Sequence, residues 1–315
     1  MILLLTHAGD FYTIDGVEAA LQRFGAQYFR LDTDRFPMEY TLTSRAGEGS
    51  FLEAAGQTLA LSQTTAVWNR RLYPGHVPPE LPFEQARFSA ETCRTAFLNA
   101  FDRLDQAYWI NPLRAQDAAE SKLLQLDLAR EVGLRVPPTL ITNRPQEVRD
   151  FAQHHPRLVT KLLVQQVQSM QAHPAFGYTT RVQPEHLDQL EQLRLMPQIF
   201  QPELTKKVEY RAVAVGGKLF VGGLRGLGDL IDWRQAPVDS GLAWEKATFD
   251  GALHGKILML LQRLGLRFGA LDFIDDGSGE PWFLECNPAG EWGWLERDLG
   301  MPIAETIARA LVERS

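Results

Sequence analysis

Two carboxylates and an amide define the most informative chemistry in this chain. The stretch Gly269-Ala270-Leu271-Asp272-Phe273-Ile274 is followed by Asp275-Asp276-Gly277-Ser278-Gly279-Glu280 and then by Pro281-Trp282-Phe283-Leu284-Glu285-Cys286-Asn287-Pro288. This reads as two apolar-rich strands around an acidic turn. A turn centred between Ser278 and Gly279 puts Asp272 opposite Glu285, and opposed residues share a face. Residues two apart on a strand share a face as well, so Asn287 joins them, while Phe273, Leu284 and Cys286 are expected to point into an apolar layer. Two carboxylates and an amide are hard oxygen donors suited to Mg²⁺, which keeps its other positions for water and phosphate oxygens. A solvated strand face also alternates polar with apolar, and for Asp272 and Glu285 taken alone that plainer reading stands beside the metal one. Asp275-Asp276 reads as ordinary hairpin-turn chemistry.

A cation held by carboxylates needs an anionic partner, yet the chain has no G-x-x-x-x-G-K-[ST] loop. Its first loop, His7-Ala8-Gly9-Asp10, is not G-x-G-x-x-G either. Phosphates must be held another way. Lys161, flanked by Val159, Thr160, Leu162 and Leu163, sits in so apolar a strand that it must snorkel or pair, and an anionic ligand offers the pairing. Lys122, on a predicted helix, is a second candidate that snorkelling explains equally well. Arg70-Arg71 beside Trp68 either hold an acidic peptide group or form ion pairs. Trp292 and Trp294 either pack in the core or form a wall for a peptide. His154-His155-Pro156 reads as a helix end.

Composition bounds what these residues can serve. The chain has 315 residues, 45% of them hydrophobic, enough for a large core divided over two or so lobes. The net charge of −7 argues against a broad basic surface for nucleic acid, though not against a local cationic pocket. Met1-Ile2-Leu3-Leu4-Leu5-Thr6 lacks a basic n-region, and no window approaches about 18 uninterrupted apolar residues, so secretion and a membrane partner are both disfavoured. Cys93 and Cys286 have neither zinc nor disulfide spacing, and no His-Glu-x-x-His pair occurs. A reducing cytoplasm is the expected location.

The elements that must position the candidates alternate in type. Residues 2–6 form an apolar run; Ile14, Val17, Ala20, Leu21 and Phe24 follow at helical spacing, and residues 26–31 form a second strand, a β-α-β opening. Residues 39–43 and 58–61 are expected to pair as a hairpin, with a strand at 65–70. A long helix over 83–104 leads to Tyr108-Trp109-Ile110 and a stop at Asn111-Pro112, the expected lobe boundary. A helix over about 116–132 carries Lys122 and ends at Gly133, which suits a left-handed C-cap. A small lid follows: a strand at 158–163, a polar stretch to 177, and a strand at 197–200. Strands on either side of Gly216-Gly217 make a tight hairpin. Residues 222–244 are irregular and long enough to be functional. Helices are expected over 247–264 and 303–312. The fold class is α/β.

With these residues in order, the chain resembles a known family. Lys122 on a helix, Lys161 on a strand, Gln198-Ile199-Phe200-Gln201-Pro202-Glu203-Leu204, Glu209-Tyr210-Arg211, and Asp272 with Glu285-x-Asn287 follow the ATP-grasp order over nearly the whole chain. More narrowly, four segments look like the microviridin-type peptide ligases, or graspetide synthetases. They are Arg30-Leu31-Asp32-Thr33-Asp34-Arg35-Phe36-Pro37, Val67-Trp68-Asn69-Arg70-Arg71, Asp232-Trp233-Arg234 and Glu285-Cys286-Asn287-Pro288-Ala289-Gly290-Glu291-Trp292.

The resemblance implies an ATP-grasp fold with an α/β N-terminal pre-ATP-grasp domain (1–112), a central subdomain with a lid (113–197) and a C-terminal catalytic subdomain (198–315). It implies ATP and Mg²⁺ as cofactors, the metal on Asp272, Glu285 and Asn287. The nucleotide would lie on Lys122, Lys161, Gln201, Pro202, Glu203 and Leu204, with Arg211 and Arg234 catalytic. The implied reaction activates Asp or Glu side chains of a ribosomally made precursor peptide as acyl phosphates. A Ser or Thr hydroxyl, or a Lys amine, of the same peptide then closes a macrolactone or macrolactam. Adenine would lie against the backbone of residues 202–204. Pro202 stands where relatives commonly have Glu; its carbonyl survives but a side-chain role is lost, leaving Glu203 as the nearest acid for a ribose hydroxyl. Residues 165–177 contain only Gly177 and lack a glycine-rich phosphate flap. The implied partner is a precursor peptide whose leader helix docks on residues 164–178 and nearby strands; a homodimer is compatible with this. The rivals are a glutamyl or amino-acid ligase of the same fold and a non-catalytic ATP-binding regulatory module. The intact Asp272, Glu285 and Asn287 set argues against the latter.

Overall fold

Five consecutive buried residues, Ile2–Thr6, form β1, and a strand buried on both faces belongs at the centre of a parallel sheet. In the computed structural model, which describes residues 1–54, 56–73, 77–78, 80–163, 178–237 and 239–314, it does. Next come α1 (Tyr12–Arg23), β2 (Tyr28–Asp32), β3 (Tyr40–Arg45), β4 (Gly49–Ala54), β5 (Gln57–Ala60), β6 (Ala66–Asn69), α2 (Phe83–Phe101) and β7 (Tyr108–Ile110). β1, β2, β6 and β7 form a parallel sheet in the order β2-β1-β6-β7. The expected hairpin between residues 39–43 and 58–61 does not form. β4, over residues whose alternation is weak, runs between β3 and β5 and pairs with both.

The middle of the chain comprises α3 (Leu113–Ala119), α4 (Lys122–Glu131), β8 (Leu140–Thr142), α5 (Pro145–His154), β9 (Leu158–Lys161), β10 (Thr180–Arg181), α6 (Pro184–Asp188) and β11 (Gln198–Pro202). The strands make an antiparallel sheet ordered β10-β9-β11-β8, so residues 198–202 belong with the central sheet. The single helix expected over 116–132 is two helices. From the first turn of α4 the buried Gln125 amide donates back to the Ala119 carbonyl at 2.5 Å and across to the Cys286 carbonyl at 2.8 Å, while its oxygen accepts from Cys286 N–H. That exchange ties the break to the strand below and starts α4 at Lys122. The expected polar stretch, flap and leader-docking segment over 164–177 lie outside the described residues.

The C-terminal part comprises β12 (Val208–Val215), β13 (Lys218–Leu224), β14 (Trp244–Ala247), α7 (Gly251–Arg263), β15 (Phe268–Asp275), β16 (Trp282–Asn287), α8 (Gly293–Leu299) and α9 (Ile303–Val312). The strands form an antiparallel sheet, β14-β13-β12-β15-β16. Gly216 and Gly217, with φ of 58° and 76°, supply the two left-handed residues of the β12–β13 turn. One face of this sheet packs on α7 and α4. The other joins α9 and α1 in a core containing Ile14, Val17, Val213, Ile303 and Ile307. Each fully buried aliphatic side chain contributes about 1.5–3 kcal/mol of transfer free energy, so α9 holds the first lobe against the last. Among the described residues no helix is long and apolar enough to cross a membrane.

Candidate active site

A cleft of about 1000 Å³ collects every residue of the expected metal, nucleotide and catalytic sets: Lys122, Lys161, Gln201, Pro202, Glu203, Leu204, Arg211, Arg234, Asp272, Glu285 and Asn287 all line it. β12, β15 and β16 supply Arg211, Asp272, Glu285 and Asn287; β9 and β11 supply Lys161, Gln201 and Pro202; the first residue of α4 supplies Lys122. Asp272 pairs with Glu285 across β15 and β16, and with Arg211 across β12 and β15.

Beyond Asp272 the hairpin register shifts, so that Phe273 opposes Phe283 and not Leu284. One extra residue inverts the alternation. Phe283 therefore takes the fully buried place expected of Leu284, and Leu284 lines the cleft with Ile274. Phe273 and Cys286 are buried as expected.

Charges in the cleft are matched in detail. Arg211 Nη1 donates to Asp272 Oδ1 and Oδ2 at 2.8 and 2.9 Å, while Nη2 donates to the Glu291 carbonyl at 2.9 Å. The ammonium nitrogens of Lys122 and Lys161 each lie 3.1 Å from Glu285 Oε2. Asn287 Nδ2 donates to Asp272 Oδ2 and to Glu285 Oε1, both at 3.3 Å, and so bridges the acids. Burial pushes the Asp272 carboxyl up; Arg211 opposes this and the nearby Glu285 adds to it. Burial also works against the charge on Glu285, but the Lys161 and Lys122 ammoniums outweigh it and hold that carboxyl well below the usual range. The two acids are pulled apart by different neighbours.

Among the described residues no three His, Cys, Asp or Glu side chains gather as a metal site. The candidate set is two carboxylates and an amide. Its fit to Mg²⁺ rests on the Asn287 bridge, which brings three oxygen-bearing groups together, and a turned Asn287 amide offers its oxygen as a hard donor. The residues fit the ion.

At the other end, Pro202 closes β11, and the Glu203 amide donates to the Arg157 carbonyl at 2.8 Å. Gln201 turns its amide to Thr139 Oγ1 at 2.9 Å. The Glu203 carboxylate accepts two bonds from Arg181 at 2.8 Å and a short one from Arg157, so a ribose hydroxyl would share an acid already held by two guanidiniums. These hydrogen bonds, Arg181's first, keep the carboxyl below the usual range despite burial.

Arg234 donates from Nε and Nη2 to Asp232, a buried acid that the sequence reading named in Asp232-Trp233-Arg234 without giving it a role. The signal was the two-residue spacing of an Asp that also caps the following turn. Buried Arg70 donates to the Ala289 carbonyl and makes a short bond to Glu291, which Arg71 also reaches at 3.0 Å; ion pairing is the reading that holds for both arginines here. The two tryptophans divide: Trp292 is buried in the core and Trp294 lines the cleft.

Residues 1–117 match the family model described as the MvdD pre-ATP grasp domain. Over the whole length the chain is similar to macrocyclase MdnB from Microcystis aeruginosa MRC, with 40% identity, coverage of 99% of this chain and 98% of that one, and a TM-score of 0.83. It is similar to macrocyclase MdnC of the same organism, solved bound with precursor peptide MdnA, with 31% identity, 99% coverage of both chains and a TM-score of 0.89. A RiPP-associated ATP-grasp ligase from Chryseobacterium gregarium, solved in complex with ADP and a leader and core peptide, aligns at 26% identity over 100% of this chain and 97% of that one, with a TM-score of 0.90. No curated protein sequence matches the chain.

Proposed function

This chain belongs to the graspetide-type ATP-grasp peptide ligases, and from that premise we propose that it closes macrolactone or macrolactam crosslinks in a precursor peptide carrying a leader and a core. The observation that carries the reading is the shared Glu285 oxygen. Two ammoniums facing one carboxylate form a locally cationic corner of the cleft, and the phosphates of a nucleotide suit it.

In this reading Lys122 and Lys161 bind the phosphates of ATP. Pro202 C=O accepts from the adenine amine, and Leu204 N–H donates to the ring, because Glu203 N–H is engaged by Arg157. Leu284 and Ile274 supply apolar surface beside it. Asp272, Glu285 and Asn287 would hold Mg²⁺, which when bound offsets charge on the phosphates. A substrate Asp or Glu oxygen attacks the γ-phosphorus, ADP leaves, and an acyl phosphate forms. A Ser or Thr hydroxyl, or a Lys amine, of the same peptide then attacks the acyl carbon; phosphate departs and the nucleophile's proton is lost. Bringing carboxylate to phosphate is an approach of two anions, and the guanidiniums of Arg211 and Arg234 counter that repulsion. Arg211 is held for the task by Asp272 and Arg234 by Asp232. A reducing cytoplasm suits the two buried free thiols, Cys93 and Cys286.

The test is to incubate the protein with Mg²⁺, ATP and the precursor peptide encoded beside its gene, and to weigh the peptide. Each ring closed removes one water. ATP-dependent loss of water is expected; a mass gain from an added amino acid would assign the protein to the amino-acid ligases instead.

A further inference from the structure

Three tryptophans from separate parts of the chain meet on one wall of the cleft. Trp233 lies in a single 3-10 turn, Trp244 opens β14 and Trp294 lies in the first turn of α8. Their ring centroids are 5.5 Å apart for Trp233 and Trp244, 5.9 Å for Trp233 and Trp294, and 6.0 Å for Trp244 and Trp294. All three are half-buried and line the cleft, so the cluster is packed on one side and available to an occupant on the other. The backbone is shaped for it. A Cβ on Gly222 of β13 would fall 2.5 Å from Leu295 and 3.1 Å from Trp244, so the bare glycine lets both approach the sheet. The Arg211 guanidinium carbon lies 5.6 Å from the Trp294 ring centroid, and the same guanidinium binds Asp272. The wall is therefore one side chain away from the acidic set.

Aromatic faces accept apolar side chains and cations alike. Charge decides between them here. Arg211 already lies over the Trp294 ring, so the cation position on that face is taken from within the molecule and the ring surface left to a guest suits a neutral side chain. Resting on the ligase reading above, we propose that this wall holds a neutral apolar or aromatic residue of the core peptide next to the carboxylate being activated, and so selects which acid is presented to Arg211 and Arg234. The three tryptophans are positioning residues. They act on peptide capture and leave nucleotide binding alone.

The experiment compares two precursors, one with apolar residues flanking the ring-forming acids and one with those flanking residues changed to Arg, on the wild type, Trp233→Ala and Trp233→Phe. With the wild type, the Arg-flanked peptide should show a KM about tenfold higher, the size of one good aromatic contact, at an unchanged KM for ATP. Trp233→Ala should raise the KM for the apolar-flanked peptide by a similar factor and lose the discrimination, and Trp233→Phe should restore it. Should Trp233→Ala fail to fold, the peptide pair on the wild type decides alone. Water loss with equal KM for both peptides overturns the wall's role and leaves the ligase reading standing. No water loss from either peptide with the wild type overturns both.

Discussion

Lys122 and Lys161, one at the start of a helix and one at the end of a strand in a different sheet, put their ammonium nitrogens at the same distance, 3.1 Å, from one oxygen of Glu285. Burial opposes the charge on Lys122, yet Glu285 outweighs it and raises the ammonium above its ordinary value. An ammonium has three donors and Glu285 takes one from each lysine, so a phosphate can be shared between the same two cations.

Lys161→Met should therefore weaken ATP binding about tenfold or more, as should Lys122→Met, because a cation in a partly desolvated cleft interacts more strongly with phosphate than the surface median of about 0–1 kcal/mol. Methionine keeps the apolar stem. Calorimetric affinities equal to the wild type's would leave the pairing with Glu285 as the whole explanation of both lysines.

Asp272→Asn and Glu285→Gln should each abolish Mg²⁺-dependent ATP turnover and leave a cooperatively folded protein, since both replacements are isosteric. EDTA should silence the wild type in the same assay, and added Mg²⁺ should restore it. Turnover by both variants at saturating Mg²⁺ would rule out this metal set.

Gly290→Ala should destabilise the protein by about 1–3 kcal/mol, the range for overpacking a buried site. A Cβ there would stand 2.6 Å from Ala270 Cβ, 2.7 Å from Arg211 Nη2 and 2.9 Å from Asn287 Cβ. Two of these neighbours are site residues, so a lower Tm should come with lower activity; a variant that melts and turns over like the wild type would contradict the close approach.

Glu203 predicts an acid-limb effect. Its carboxyl is held below the ordinary value by Arg181 and Arg157, so the stability this contributes is complete above the unfolded value of about 4.3 and is lost as pH falls towards the folded one. Glu203→Gln should lower Tm at neutrality and flatten its dependence on pH below that point, so that the two proteins converge in acid. Parallel acid limbs in the two proteins would show the ion pairs to be worth nothing.

The parts of this molecule legible in its residues are those that depend on neighbours along the chain. Alternation in β15 and β16, the symmetry of their turn, the helical spacing of α1 and α9, and the paired glycines between β12 and β13 are all local, and each led to the right element. The pairing of Asp272 with Glu285 and the placing of Asn287 beside them followed from counting outward from the turn. Where local signals were weak, or a distant group intervened, counting failed. β4 lies unannounced between two strands read as partners. Gln125 splits a periodic helix by bonding Cys286, and a bulge turns Leu284 into the cleft in exchange for Phe283. Tertiary structure alone decided that Lys122 and Lys161 share one oxygen and that three tryptophans line one wall. The reason is physical: backbone periodicity is set by residues two to four apart, whereas a site's charges and surfaces are matched across space, between elements whose meeting depends on how whole sheets and helices bury their apolar faces.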